Sequence, residues 1–188
     1  MEAILKKELI LSKSMRRLLG VATFVILTSL GAFVRIPLPF TPVPLTLQTF
    51  FVLLSGVCLG SWLGLFSQLS YILLGATGLA VFTGGGSGLF YIFGPTGGYL
   101  FGFLLASFIA GKLTRYGQNN FLSVFIKLCI AEFVLLSCGV IWLKVILGYP
   151  LTKLIYIGFL PFMFGDFFKI MAATAIYSKI RTRLDKLF

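Results

Sequence analysis

Long apolar runs, separated by short polar or glycine- and proline-rich stretches, fill most of this 188-residue chain. Six of them are predicted to be membrane-spanning helices, at about residues 18–36, 45–59, 61–75, 97–113, 121–147 and 154–177. A span needs about 20 apolar residues, each adding about 1.5 Å. The second and third runs are shorter, and the uncharged Gly60-Ser61 turn between them indicates an antiparallel hairpin. The pattern predicts an all-α integral membrane protein with six transmembrane helices.

Composition agrees with a membrane protein and excludes several kinds of site. Hydrophobic residues make up 59% of the chain and charged residues only 11%, against about 25% charged in a soluble domain. The mean hydropathy is +1.04. Histidine is absent, and the three cysteines stand apart from one another in apolar runs. We therefore expect no enzyme activity, no cofactor and no metal site. No phosphate-loop motif occurs, so any ATPase that powers transport must be a separate chain.

Two irregular stretches interrupt the apolar runs. Residues 37–44 hold four prolines, which cannot continue a helix and predict a stiff, extended loop. Residues 76–98 are rich in glycine and aromatic residues and carry no charge. A flexible gate over a ligand and an ordinary connector both fit this second stretch.

The distribution of basic residues predicts the orientation. The net charge is +11. Twelve basic residues fall in the N-terminal segment, the loop after the fourth span and the tail, whereas three fall on the opposite face. The positive-inside rule then predicts a multi-pass protein of the cell membrane with both termini cytoplasmic. The predicted units are a cytoplasmic segment 1–17, a six-helix transmembrane domain 18–180 and a basic cytoplasmic tail 181–188.

Charged and polar residues inside the predicted spans mark the candidate site. Asp166 and Lys169 are three positions apart in the last span, and so share one helix face. A charge at the bilayer centre costs roughly 2.5–3.5 kcal/mol on insertion scales, so this pair either receives a polar ligand or fixes helix packing. Gln48 suits either a ligand contact or a loop-capping role. Glu132, in the fifth span, is a candidate partner of Lys169, a member of the site or a helix-packing residue.

Three segments together resemble the BioY family: Thr41-Pro-Val-Pro-Leu-Thr-Leu-Gln-Thr-Phe50, Gly94-Pro-Thr-Gly-Gly-Tyr99 and Gly165-Asp-Phe-Phe-Lys169. The members of this family are biotin-binding S components of energy-coupling-factor (ECF) transporters. The resemblance implies a six-helix S-component bundle that captures biotin from outside. It also implies a transmembrane coupling protein and two ATPase subunits as partners.

The resemblance and the chemistry of biotin together suggest specific residues. The expected ligand-binding residues are Asp166, Lys169, Gln48, Arg35, Phe82, Gly85, Tyr91 and Tyr99. S components tend to carry small residues at four-residue spacing on their first helix for docking to the coupling protein. In this chain that pattern is degenerate, because Ile26 follows Ala22. The expected docking residues are Gly20, Ala22, Ser29 and Gly31.

Two other functions stay open on the sequence. One is an S component for another small vitamin or a biotin precursor. The other is a stand-alone secondary transporter driven by protons through Glu132 or Asp166.

Overall fold

The structure, a computed structural model, describes residues 13–184, and helices make up most of them. The helices are α1 (Lys13–Phe33), α2 (Gln48–Leu59), α3 (Ser61–Ala76), α4 (Leu89–Ile92), α5 (Gly97–Arg115), α6 (Phe121–Leu147), α7 (Leu151–Gly158) and α8 (Leu160–Leu184). Two short strands, β1 (Arg35–Ile36) and β2 (Leu45–Thr46), and a 3-10 turn at Thr83–Gly85 complete the elements. Residues 1–12 of the predicted N-terminal segment and residues 185–188 of the predicted tail lie outside the described residues.

Four stretches of the described chain are long and apolar enough to cross a membrane: α1, α5, α6 and the continuous run Leu151–Thr182. Six spanning helices were predicted, and four of them are long and apolar enough to cross a membrane. The helices α2 and α3 are apolar but have 12 and 16 residues, or about 18 and 24 Å at 1.5 Å per residue. The hydrocarbon core of a bilayer is about 30 Å thick. The two short helices do not match that thickness by themselves.

The predicted end of the first span, Ile36, and the predicted start of the second, Leu45, were wrong, whereas the second span ends at Leu59 as predicted. The first helix ends at Phe33 and the second begins at Gln48. Between them, β1 pairs antiparallel with β2, with Arg35 opposite Thr46. The four prolines of residues 37–44 explain the difference, because the residue before a proline favours an extended backbone. An apolar run does not by itself distinguish such a short hairpin from helix.

The last predicted span is two helices rather than one. The helix α7 ends at Gly158, and Phe159 has a non-helical backbone, with φ −129° and ψ −62°. Pro161 then occupies the first turn of α8, where its missing N–H removes no intrahelical hydrogen bond. Both α7 and α8 pack against α6.

The bundle has a loop-rich end and a basic end. At the loop-rich end, Arg35 and residues 42–44 lie beside residues 90–96, and residues 39–42 lie beside Lys153. At the basic end, the α2–α3 turn meets Arg17, Arg115 and Arg181. The two irregular loops thus lie on the same end of the molecule, opposite the arginines.

Close helix packing at the centre depends on small residues. The helix α5 contacts α2, α3 and α6. Gly56 of α2 faces the Ser107 carbonyl and the Ala110 methyl of α5 so closely that a Cβ at position 56 would collide with both. Small residues allow two helix backbones to approach in this way.

We expect Gly56→Ala to lower stability by about 1–3 kcal/mol, because the added methyl meets a backbone carbonyl that cannot rotate away. Gly165→Ala is the matched control, since its methyl would meet only the end of the Leu45 side chain. Thermal unfolding of both variants in detergent measures the difference. A Gly56→Ala variant as stable as Gly165→Ala would contradict this account of the α2–α5 contact.

Candidate functional site

A cavity lies among α2, α5, α6 and α8, in the loop-rich half of the bundle. It measures about 40 Å³, which is space for roughly two or three water molecules. Its walls combine seven apolar residues, two tyrosines and seven polar or charged residues. The lining residues are Val43, Pro44, Thr46, Gln48, Thr49, Thr83, Tyr91, Thr96, Tyr99, Leu100, Phe103, Leu135, Leu136, Phe162, Asp166 and Lys169.

A buried ion pair forms the polar side of this cavity. The Lys169 Nζ lies 2.8 Å from the Asp166 Oδ1, and both side chains are buried. Their spacing of three residues on α8 puts them on one face of the helix. Thr49 of α2 joins the pair: its hydroxyl donates to Asp166 Oδ1 at 3.2 Å and accepts from Lys169 Nζ at 3.1 Å. The pair therefore also connects α8 to α2.

The ion pair keeps unused hydrogen-bonding capacity. Asp166 Oδ2 is buried and has no hydrogen-bond partner among the described residues. Lys169 has three N–H donors, and two of them are accounted for by Asp166 and Thr49. Among the described residues, the charged pair thus keeps one acceptor and one donor without a protein partner. Such an arrangement suits an uncharged polar group that offers both N–H and C=O.

Gln48 lines the cavity, and its side-chain amide makes three hydrogen bonds within the protein, which leaves one of its two N–H donors without a partner among the described residues. Its Nε2 donates to the Tyr71 hydroxyl at 2.6 Å. Its Oε1 accepts from Thr83 at 2.8 Å and from Thr46 at 3.3 Å. In this conformation Gln48 holds the 3-10 turn of residues 83–85 against α2, as the loop-capping alternative predicted.

Tyr91 and Tyr99 line the cavity, whereas Phe82 lies behind its wall. Tyr91 stacks on Phe82 with ring centroids 4.9 Å apart and donates to the Thr83 carbonyl at 3.3 Å. Phe82 is completely buried, between Tyr91 and Tyr71. The Tyr99 hydroxyl donates to the Gly158 carbonyl at 2.6 Å. Phe82 therefore supports Tyr91 instead of facing the cavity.

Arg35 and Gly85 lie outside the first cavity. Arg35 lines a neighbouring cavity of about 350 Å³, which shares Pro44, Thr83, Tyr91 and Thr96 with the first. Its guanidinium lies over Gly84, where φ is +75° and a Cβ would collide with it. Gly85 lines neither cavity.

Glu132 on α6 is buried, and both of its carboxyl oxygens lack a hydrogen-bond partner among residues 13–184. It is not the ion-pair partner of Lys169, which bonds to Asp166, so that alternative was wrong. Glu132 and Asp166 both line a second, largely apolar cavity of about 330 Å³ between α6 and α8. Asp166 is thus shared by two cavities, and Glu132 belongs to one of them.

The expected docking residues of α1 differ in exposure. Ala22 is exposed, Gly20 and Ser29 are half-buried, and Gly31 is buried. A side chain at Gly31 would meet Phe51 and the backbone N of Gln48. Gly31 therefore contributes to the packing of α1 on α2 and leaves the outer face of α1 to other residues.

Sequence reasoning missed four threonines in the cavity wall, Thr46, Thr49, Thr83 and Thr96. Threonine carries no charge and is common in apolar helices and loops, so none of these positions stood out. The one available signal was proximity, because Thr49 directly follows Gln48 and Thr83 precedes the glycine-rich turn.

Comparison with known proteins gives a consistent result. The model of the BioY family matches residues 5–186. The chain belongs to the BioY family. It is 42% identical over 161 residues to a probable biotin transporter BioY of Pyrococcus horikoshii, covering 86% of this chain and 93% of the relative. It is 37% identical to the biotin transporter BioY of Thermotoga maritima over 168 residues, or 89% of this chain and 96% of the relative.

A solved structure agrees with the BioY assignment. The crystal structure of the S component for biotin from an ECF-type ABC transporter superposes with a TM-score of 0.83 at 28% identity. The match covers 90% of this chain and 92% of that chain. The bundle described above is therefore an ECF S-component fold, and the protein is a transporter component rather than an enzyme.

We expect Lys169→Met to destabilise this BioY protein by about 3–5 kcal/mol, because it leaves the Asp166 carboxylate buried and unpaired. The double variant Asp166→Asn/Lys169→Met removes both charges and should recover most of that loss. Thermal unfolding of the single and double variants in detergent measures the coupling. Equal stability of Lys169→Met and the wild type would contradict a structurally important pair.

Proposed function

We propose that this protein is the high-affinity biotin-binding subunit of an ATP-driven ECF importer. The observation that carries the proposal is the buried Asp166–Lys169 pair with one free acceptor and one free donor at the wall of the first cavity. The biotin transporters among its relatives and the biotin S component among solved structures support biotin as the ligand.

The chemistry of biotin fits these groups. Its ureido ring offers two N–H donors and a carbonyl, which complement the free Asp166 Oδ2 and the third N–H of Lys169. Its sulfur-containing ring is apolar and suits the Phe103, Leu135 and Phe162 walls. Its carboxylate needs a cation, and Arg35 lines the neighbouring cavity on the loop-rich side. We propose that the ureido ring binds inward and the carboxylate outward.

Binding requires the loops to move. The cavity of about 40 Å³ is smaller than biotin, so its wall must open. Thr83 and Tyr91 belong to both the inner cavity and the cavity beside Arg35. Displacement of residues 83–91 would join the two spaces. We propose that this segment is the gate, and that the Gln48–Thr83 hydrogen bond of 2.8 Å holds it in the closed position.

We propose that the basic end faces the cytoplasm and that all six helices α1, α2, α3, α5, α6 and α8 take part in crossing the membrane. The positive-inside rule favours this orientation, which places the inner cavity and its proposed gate on the outer side. The transmembrane coupling protein and the two ATPase subunits are separate chains of the same importer. The reason is that the BioY chain itself carries no nucleotide-binding motif.

We propose that the coupling protein docks on the outer face of α1. Of the four stretches long enough to span, α1 is the least buried in the bundle. Ala22, Ile26 and Leu30 follow one another at four-residue spacing, and all three are exposed. Gly20 and Ser29 flank this stripe. Of the three exposed residues, Ala22 is the small one, and a small side chain permits close approach of a partner helix.

Calorimetry on the detergent-purified protein tests the ligand site. We expect Asp166→Asn and Lys169→Ala to weaken biotin binding by about 10- to 100-fold, the equivalent of one lost charge-assisted hydrogen bond. Lys144→Ala is the matched control, since this lysine is exposed in the last turn of α6 and does not line the inner cavity. Undiminished binding by both site variants would remove the pair from the binding site.

A competition series distinguishes biotin from another vitamin. Dethiobiotin keeps the ureido ring, whereas lipoate keeps a sulfur ring and the acid chain but has no ureido group. We expect dethiobiotin to displace biotin and lipoate to fail, because the free donor and acceptor of the pair match only the ureido group. A preference for lipoate would indicate a different vitamin.

Uptake assays test the docking face. We expect Ala22→Trp to leave biotin binding unchanged but to abolish co-purification with the coupling protein and ATP-driven uptake, since the indole blocks close helix contact. Ile130→Trp, on an exposed face of α6, is the control and should retain both. Biotin uptake by this chain alone, abolished by an uncoupler, would instead support the proton-driven transporter.

A further inference from the structure

The polar cavity at the basic end is separate from the proposed biotin site. It measures about 580 Å³ and is formed by the start of α1, the α2–α3 turn, the end of α5 and the end of α8. Three arginines from three different helices line it: Arg17 from α1, Arg115 from α5 and Arg181 from α8. Three positively charged residues that are distant in the sequence thus line one cavity.

These charges are not balanced within the described part of the chain. Among residues 13–184 the acidic residues are Glu132 and Asp166, and neither lines this cavity. Arg181 donates to the Asn119 carbonyl at 2.8 Å. Within the same residues, Arg17 and Arg115 form no ion pair. Three guanidinium groups around one space repel one another, and an anion in that space would offset the repulsion.

The geometry favours an anion with several acceptor oxygens. A guanidinium group presents planar, paired donors that match phosphate oxygens. The first residue of α3, Ser61, also lines the cavity, and the start of this helix has no side-chain cap. Uncapped backbone N–H groups at the start of a helix favour a nearby anion.

The surroundings of the cavity indicate a lipid as the source of that anion. Leu18 directly follows Arg17 and is 69% exposed, and Trp62 directly follows Ser61 and is 62% exposed. Tryptophan is enriched where a membrane meets water. A phosphate in the cavity would therefore lie at the polar end of apolar, outward-facing side chains that suit acyl chains.

We propose that this arginine cavity binds the phosphate headgroup of an anionic membrane phospholipid. The lipid would join the ends of α1, α5 and α8, the three helices that carry the arginines. This site takes a ligand of different chemistry from that of the inner cavity and shares no residue with it. Its test is therefore independent of biotin binding.

The test uses the full chain, delipidated in an uncharged detergent. Native mass spectrometry and thermal unfolding are measured with phosphatidylglycerol, with phosphatidylcholine and with inorganic phosphate. We expect phosphatidylglycerol to bind at least about tenfold more tightly than phosphatidylcholine, and Arg17→Gln/Arg115→Gln to weaken its binding by about tenfold or more. The preference should decrease at high salt.

The matched control is Lys144→Gln/Lys153→Gln, which removes two positive charges from the loop-rich end and should keep the lipid preference. Unchanged biotin affinity in the arginine variant shows that the bundle is intact. The single variants Arg17→Gln and Arg115→Gln provide the same test with less perturbation. Each should weaken lipid binding by less than the double variant does.

Three outcomes would overturn the proposal. The first is equal phosphatidylglycerol binding by the arginine variant and the wild type. The second is stabilisation by inorganic phosphate as large as that by phosphatidylglycerol, which would assign the cavity to the free anion. The third is no lipid preference in the wild type together with loss of coupling-protein assembly in the arginine variant, which would assign the cavity to an acidic protein partner.

Discussion

The low-dielectric interior of the bundle requires the Asp166 and Lys169 charges to stay together, and much of the loop-rich half follows from this requirement. An isolated charge inside an apolar bundle is costly, so the pair forms at 2.8 Å on one face of α8. Thr49 bonds to both partners and so holds α2 beside α8. Gln48, one residue earlier, then reaches the 3-10 turn through Thr83. A single electrostatic constraint thus connects the last helix, the second helix and the loop over the cavity.

The same ion pair can stabilise the bundle and still offer a hydrogen-bond acceptor to a ligand. Oδ1 of Asp166 satisfies the structural need, whereas Oδ2 has no partner among the described residues. A bound ureido group would complete the hydrogen bonding of a carboxylate that is already buried. The ligand then restores interactions instead of competing with the protein for them. Gln48 differs, because both acceptor bonds of its amide oxygen and one of its two N–H donors are used within the protein, and these bonds hold the 3-10 turn against α2.

The two ends of the bundle differ in composition. The loop-rich end holds both irregular loops, the inner cavity and Arg35. The basic end holds the tight α2–α3 turn and a wide cavity lined by arginines. Between them, glycine contacts such as Gly56 against Ser107 keep α2 and α5 close. The short helices α2 and α3 form the central hairpin that connects these two environments.

The sequence by itself determined the membrane character, the helical runs, the irregular loops and the importance of Asp166 and Lys169. These are properties of composition and of spacing along one helix, and a charge pair three residues apart is visible without any tertiary information. Only the tertiary structure decided that residues 35–46 form a hairpin, that the last span breaks at Phe159, that Phe82 lies behind Tyr91 and that Arg35 lies outside the inner cavity. It also brought Thr49 to the ion pair and three distant arginines to one cavity. These features depend on how helices from separate parts of the chain pack against one another, and local hydrophobic pattern carries no information about that packing.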